Sequence, residues 1–311
     1  MRMFISSLAL IGQILAPPAV RRPAGALVVT RSDSLALRIT RRASQVSGAV
    51  IGVAYHDLQT NDSLYLNAGE SFHAASTMKV PVMIELYHRI DAGALALDQG
   101  ILLVNQFGSI VDGSPYSLDA GDDSDSSAYR LVGSRVPVRE LIDRMITRSS
   151  NLATNALIEL VGAVNANATA HTLGARDIRV LRGVEDDKAY RAGLNNTTTA
   201  RDLAVLLDAI ETARAASRSS CDRMRDIMLG QEFNTEIPAG LPAGTKVAHK
   251  TGWITGVLHD AAIVYPPGRR PYVLVVLTRG IDDRAQAQRL IADISRLVYA
   301  HAMASTIASR S

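Results

Sequence analysis

Three short segments carry residues whose types and spacing could do acyl-transfer chemistry: Ser76-Thr77-Met78-Lys79, Ser149-Ser150-Asn151 and Lys250-Thr251-Gly252. In the first, serine and lysine stand three apart, the separation that places two side chains on one helical face, so Ser76 Oγ and Lys79 Nζ are expected to meet. A serine hydroxyl is a weak nucleophile until a base takes its proton. A lysine amine is that base only where burial or a neighbouring cation lowers its pKa. Burial is expected here, because Val80, Val82, Met83, Ile84 and Leu86 leave the following helix apolar on nearly every side. A serine at the mouth of such a helix also meets backbone N–H groups and the positive end of the helix dipole, which favour a developing oxyanion.

Composition supports the lysine. Only Lys79, Lys188, Lys246 and Lys250 stand against an arginine majority among the 33 Lys and Arg residues. Arginine does not give up its proton, so a base must stay lysine. Taken singly, each segment also reads as ordinary structure: a helix cap with a solvated lysine, a second cap, and a strand meeting a turn. Their order and local setting together favour catalysis. No Gly-x-Ser-x-Gly elbow, His-Glu-x-x-His motif, Gly-x-Gly-x-x-Gly loop or cysteine pair offers a rival chemistry.

The elements that must position these segments follow from periodicity. An amphipathic helix is expected over 34–43, then strands over 48–58 and 63–67 about a turn at 59–62, an antiparallel hairpin. The buried helix runs over 76–92, with Pro81 an awkward residue that kinks or loosens its first turn. Helices follow over 138–147 and 152–161, the second closed by Gly162. Thr199 and Asp202 form a capping box in sequence ahead of a helix through Leu203, Leu206, Leu207 and Ile210. Strands over 246–251, 261–265 and 273–277 precede a closing helix with Leu290, Ile291, Ile294, Leu297 and Val298 on one stripe.

Strands at both ends and helices between predict an α/β (α+β) protein. Its five-stranded antiparallel sheet is flanked on one face by the N- and C-terminal helices, and the central helices form a second, all-helical lobe. The expected division is residues 30–75 and 205–305 for a discontinuous sheet domain and 76–204 for the helical domain that carries the nucleophile. Ser149-Ser150-Asn151 falls in a break between helices, where side chains can point into a cleft, and Lys250-Thr251-Gly252 ends a strand.

This set of motifs resembles that of the class A β-lactamase family and the related penicillin-recognising DD-peptidases, in motif order and element order over residues 34–302. Asn155, four residues beyond Asn151, and Thr197-Thr198-Thr199 add to the resemblance. It implies a β-lactamase/transpeptidase-like fold with Ser76 as nucleophile and Lys79 as base for acylation. Ser149 would relay a proton to the departing nitrogen with Lys250 supporting its charge. Asn151 would bond the substrate's acylamino group and Thr251 its carboxylate. The N–H groups of Ser76 and Trp253 would form the oxyanion hole, and Gly252 would let substrate lie close to the strand. Two places depart from the pattern. Ser150 replaces the aspartate of the second motif, a side chain with a structural role. In Arg182-Gly183-Val184-Glu185, Glu185 stands near the place of the glutamate that activates the deacylating water, but Leu194-Asn195 does not follow at the family's distance. Glu185 therefore reads either as that base or as a solvated acid. With it the chain is a β-lactamase; without it, a DD-peptidase or penicillin-binding protein that deacylates slowly. A β-lactam sensor needs a membrane helix to transmit the event.

Asp119, Asp122, Asp123 and Asp125 read as a solvated acidic loop rather than a metal site. His249 and His259-Asp260 lie near enough in sequence to help bind a carboxylate, or are packed and hydrogen-bonded. Trp253 either shapes substrate choice or covers the sheet. No cofactor or metal is expected. A formal net charge of +3 with arginines spread along the chain does not resemble a nucleic-acid binder. The partners expected are a small β-lactam or a peptidoglycan stem peptide, acting on a monomer with no stable membrane anchor. Arg2, the apolar run 4–16 and Pro17-Pro18 read as an export signal within residues 1–26, cleaved near Ala19 or Ala26, giving a periplasmic or secreted protein. The alternative is a cytosolic protein with an apolar N-terminus. Cys221, the only cysteine, can form no internal disulfide and leaves no N-terminal cysteine for a lipid.

Overall fold

The computed structural model of the protein describes residues 31–308, and side chains over 33–304. The expected export signal at 1–26 lies outside them. Helix α1 (Arg31–Ala43) leads into strands β1 (Val50–Asp57) and β2 (Ser63–Leu66). The chain returns to the sheet only with β3 (Lys246–Ile254), β4 (Val257–Tyr265) and β5 (Tyr272–Arg279) before the closing helix. The sheet order is β2-β1-β5-β4-β3, every pair antiparallel, with Val53 opposite Val276 and Val276 opposite Asp260. β5 is buried along nearly its whole length, as a central strand rich in Val and Leu should be. The sheet anticipated from the two ends of the sequence is therefore present.

Between β2 and β3 lie α2 (Lys79–Asp91), α3 (Val138–Thr147), α4 (Asn151–Val161), α5 (Ala163–Thr172), α6 (Asp187–Arg191), α7 (Ala200–Glu211) and α8 (Arg218–Leu229), and α9 (Arg284–Ala308) ends the chain. Two apolar cores form, one on each face of the sheet. Leu35 and Ile39 of α1 and Leu290, Ile291 and Ile294 of α9 pack against Val53, Leu274 and Val276. On the other face Ala54, Val273 and Val275 meet α2, α3, α4 and α7. The expected boundary between 204 and 205 falls inside α7. Short two-stranded ladders, 100–102 with 135–137 and 107–108 with 115–116, interrupt the block read from sequence as purely helical. The helices α5, α6 and α8 were not anticipated, because their apolar stripes are interrupted by polar residues.

Two local expectations change. The helix expected from Ser76 opens as a 3₁₀ turn, Ala75–Met78, and becomes α-helical at Lys79. Pro81 thus sits in the first α-turn, where a missing N–H costs least. The capping box is only half formed: Thr199 Oγ1 accepts the Asp202 N–H at 3.0 Å, but the Asp202 carboxylate turns to the N–H of Asp177.

Candidate active site

The three segments converge where the edge strand β3 crosses the 3₁₀ turn that precedes α2. A Cβ on Gly252 would lie 2.9 Å from both Ser76 N and Thr77 N, so only glycine lets strand and turn approach this closely. Ala75, just before Ser76, holds φ at +45°, a left-handed conformation that presents the serine at the start of the turn. Ser76 is half-buried and opens into a cleft of about 470 Å³ shared by Ser149, Asn151, Glu185 and Thr251.

Behind the cleft, both lysines are completely buried. Lys79 Nζ donates to Ser149 O (2.6 Å), Ser149 Oγ (3.2 Å) and Asn151 Oδ1 (2.9 Å). Lys250 Nζ donates to the same Ser149 Oγ at 3.0 Å and to Thr251 O at 2.8 Å. Burial pushes the Lys79 ammonium down to about 7, against the pull of the Asp123 and Glu185 carboxylates. Burial, and then the Lys79 charge, push Lys250 well below its ordinary value. The expected meeting of Ser76 with Lys79 takes a different form: they share the mouth of α2, but the three hydrogen bonds of Lys79 go to Ser149 and Asn151. The start of α4, 70 residues on in sequence, supplies oxygens that a hydroxyl in a 3₁₀ turn does not bring as near.

Asn151 joins the two halves of the site. Its Oδ1 accepts from Lys79 while its Nδ2 donates to Glu185 Oε1 at 2.5 Å. Glu185 is therefore not a free surface acid; burial raises its carboxyl above the ordinary range, moderated by that hydrogen bond. The loop that carries it is clamped from α4. Asn155 Oδ1 accepts the Val184 N–H at 2.7 Å and its Nδ2 donates to Val184 O at 3.0 Å. A Cβ on Gly183 would meet Asn155 Oδ1 at 2.5 Å. Asn196 holds the other end, accepting from Leu181 and Arg182 N–H and donating to Arg182 O. This stitching replaces the Leu-Asn spacing that the sequence lacks.

The reading of the acidic stretch as solvated is corrected for two of its members. Asp123 and Asp125 are buried, at 7% and 4% exposure. Asp123 Oδ2 accepts the N–H groups of Asn151 and Leu152, both at 2.9 Å, and the Tyr129 hydroxyl at 3.2 Å. Asp125 pairs with Arg144 at 2.8 Å. Ser150 caps α4 through the Ala153 N–H, and Asp123 takes the N–H groups that Ser150 cannot reach. Nothing in the spacing tied Asp123 to a helix start 28 residues away. The two histidines considered for carboxylate binding are both packed. His249 Nδ1 lies 3.0 Å from Asp260, and His259 Nε2 lies 2.8 Å from His73 O. Burial drives His259 down to about 4. Trp253 is largely exposed on the edge strand, with the Arg284 guanidinium 4.3 Å over its ring. Arg284 and Glu236, which also face the cleft, escaped sequence reasoning, since neither belongs to a motif.

Comparison with known proteins agrees with this geometry. The model of the beta-lactamase enzyme family matches residues 34–302. The chain is 30% identical to beta-lactamase AST-1 of Nocardia asteroides over 257 residues, 81% of this chain and 79% of that protein. Among solved structures, PBP-A is 29% identical with a TM-score of 0.74, covering 86% of this chain and 95% of PBP-A. A PBP-A mutant is known as its acyl-enzyme complex with penicillin G. A mutant of the last common ancestor of Gram-negative bacteria beta-lactamase class A is 28% identical with a TM-score of 0.74, covering 86% and 97% of the two chains. Matched along most of its length in sequence, fold and motif order, the chain belongs to the beta-lactamase enzyme family and is a class A-like serine hydrolase.

Proposed function

We propose that the protein hydrolyses β-lactams through an acyl-enzyme on Ser76 and that it deacylates by its own glutamate. Neutral Lys79 takes the Ser76 proton as Oγ attacks the lactam carbonyl, and the N–H groups of Ser76 and Trp253 receive the oxyanion. As the C–N bond breaks, the proton passes through Ser149 Oγ to the nitrogen, with Lys250 offsetting charge on that oxygen. Asn151 holds the acylamino group and Thr251 the carboxylate. Glu185 then takes a proton from a water that attacks the ester, and as the ester C–O bond breaks that proton returns through Lys79 to Ser76 Oγ, leaving Glu185 ionised and Lys79 neutral as at the start. The observation that carries this reading is Asn151, whose one amide touches both Lys79 and Glu185 beside the cleft that Ser76 enters.

The experiment mixes the protein with a chromogenic cephalosporin and follows turnover and intact mass together. Steady hydrolysis is expected, and Glu185→Gln lowers kcat by roughly 10²–10⁴ while a mass adduct accumulates. A lasting adduct with negligible turnover in the wild type favours the second reading, a DD-peptidase or penicillin-binding protein, for which the likeness to PBP-A speaks. Identical behaviour of Ser76→Ala and wild type rejects both.

The N-terminal segment supports export to the periplasm or medium. Among the described residues no helix is long and apolar enough to cross a membrane. N-terminal sequencing of the mature protein tests the export reading, with cleavage near Ala19 or Ala26 expected. Action as a monomer is checked by light scattering.

A further inference from the structure

Glu236 is almost fully buried, at 1% exposure, yet it forms part of the wall of the catalytic cleft alongside Thr251 and Trp253. Its two oxygens are treated differently. Oε1 accepts from Thr235 Oγ1 at 3.0 Å and from Gln288 Nε2 at 3.2 Å. Oε2 is buried and has no hydrogen-bond partner among the described residues. No cation pairs with Glu236 there either.

The groups that face it do not favour a second anion. Asp260 approaches from β4, His249 and Lys250 from β3, and from α9 the neighbour is the neutral Gln288. His249 is already engaged by Asp260 at 3.0 Å, and Lys250 by Ser149 and Thr251. A lone buried carboxylate with one oxygen unsolvated is costly, whereas a carboxylic acid has a hydrogen to place on that oxygen. Burial and the Asp260 charge push Glu236 in the same direction, above the ordinary carboxyl range.

We propose that Glu236 is a specificity-determining residue of the cleft, a neutral carboxylic acid whose Oε2–H donates to the carboxylate of the bound ligand. The inference rests on the reading of the cleft as a β-lactam site with the ligand carboxylate on Thr251. It adds a donor that the three motifs do not contain. The hydrogen bond is charge-assisted, and the proton stays on Glu236. Once Glu236 ionises, the same position sets anion against anion, and ligands bearing a carboxylate are rejected.

The test compares kcat/KM, which reports second-order acylation of Ser76, for benzylpenicillin and for its methyl ester, followed by loss of the β-lactam absorbance across the neutral and alkaline range. Taking the acid-to-ester ratio cancels the titrations of Lys79 and Glu185, which act on both ligands alike. In the wild type the ratio falls with rising pH, approaching about tenfold per unit above the Glu236 pKa. In Glu236→Gln, whose amide donates but does not ionise, the ratio falls less steeply, keeping only the part that loss of the Lys250 charge contributes. Infrared difference spectra between wild type and Glu236→Gln at neutral pH show a protonated-carboxyl stretch that shifts on acylation by benzylpenicillin. A flat wild-type ratio overturns the inference with no need of the variant. So does a ratio that falls as steeply in Glu236→Gln as in the wild type, or the absence of the infrared band. If neither ligand acylates Ser76, the β-lactam reading falls and takes this one with it. Acylation with a pH-independent ratio removes the role of Glu236 alone.

Discussion

Lys79 meets two opposed demands. As an ammonium it satisfies three oxygens on Ser149 and Asn151; as the base of the proposed mechanism it must be neutral. With burial bringing it to about 7, both forms are populated near neutrality. The base form gains as pH rises, so the acylation rate constant is expected to climb through about pH 7 and level above it. Stopped-flow acylation across pH checks this. The Asp123 carboxylate pulls Lys79 upward, so Asp123→Asn is expected to move the acidic limb to lower pH, and an unmoved limb would refute that link. Deacylation has the opposite vulnerability. On the proposed mechanism Glu185 acts ionised, and burial raises it, so turnover is expected to fail on the acid side before a solvated glutamate would protonate.

At the scale of elements, the site depends on how closely β3 can approach the turn before α2. Gly252→Ala would drive a methyl group against two backbone nitrogens, neither of which is the flexible end of a side chain. The oxyanion position and the serine are then displaced relative to one another. A misplacement near 1 Å costs on the order of 10²-fold. Acylation by a chromogenic cephalosporin is expected to fall by that order, with the thermal midpoint changed far less. The loop bearing Glu185 was hard to read for a related reason. Its clamps, Asn155 and Asn196, are isolated polar residues whose partners, Val184 and Arg182, lie 29 and 14 positions away. Asn155 was singled out from the resemblance, but its contact with Val184 was not foreseeable. Lys250, Thr251 and Gly252 were legible because an extended strand fixes their direction with little help from elsewhere, although β3 runs on to Ile254 rather than ending at 251 as expected.

The whole molecule closes on itself at the far end of the sheet. Arg269, in the turn between β4 and β5, pairs with Asp57 at the end of β1 and donates to Ala302 O of α9, with both charged side chains fully buried. Removing one partner strands the other charge, at a cost of about 3–5 kcal/mol. Arg269→Ala is expected to lower the denaturation free energy by that amount while leaving acylation of the folded protein unchanged. Parallel urea and acylation measurements check both halves. Although burial raises Asp57, the Arg269 and backbone hydrogen bonds hold it below the ordinary value. Its stabilising contribution is therefore present above the unfolded-state pKa and lost as pH falls through the lower, folded one.

The amino-acid sequence by itself determined the order of motifs and the five-stranded sheet, and it singled out Ser76 and the two lysines as candidates that the fold then brings together. Each is expressed in local spacing or in apolar periodicity, which physics reads over a few residues. Only the tertiary structure decided that Asp123 caps α4, that Asn151 couples Lys79 to Glu185, and that Glu236 stands in the cleft wall. A polar side chain carries no periodic signal of its partner; burial selects that partner only after distant segments have packed, because an unmatched buried polar group is costly.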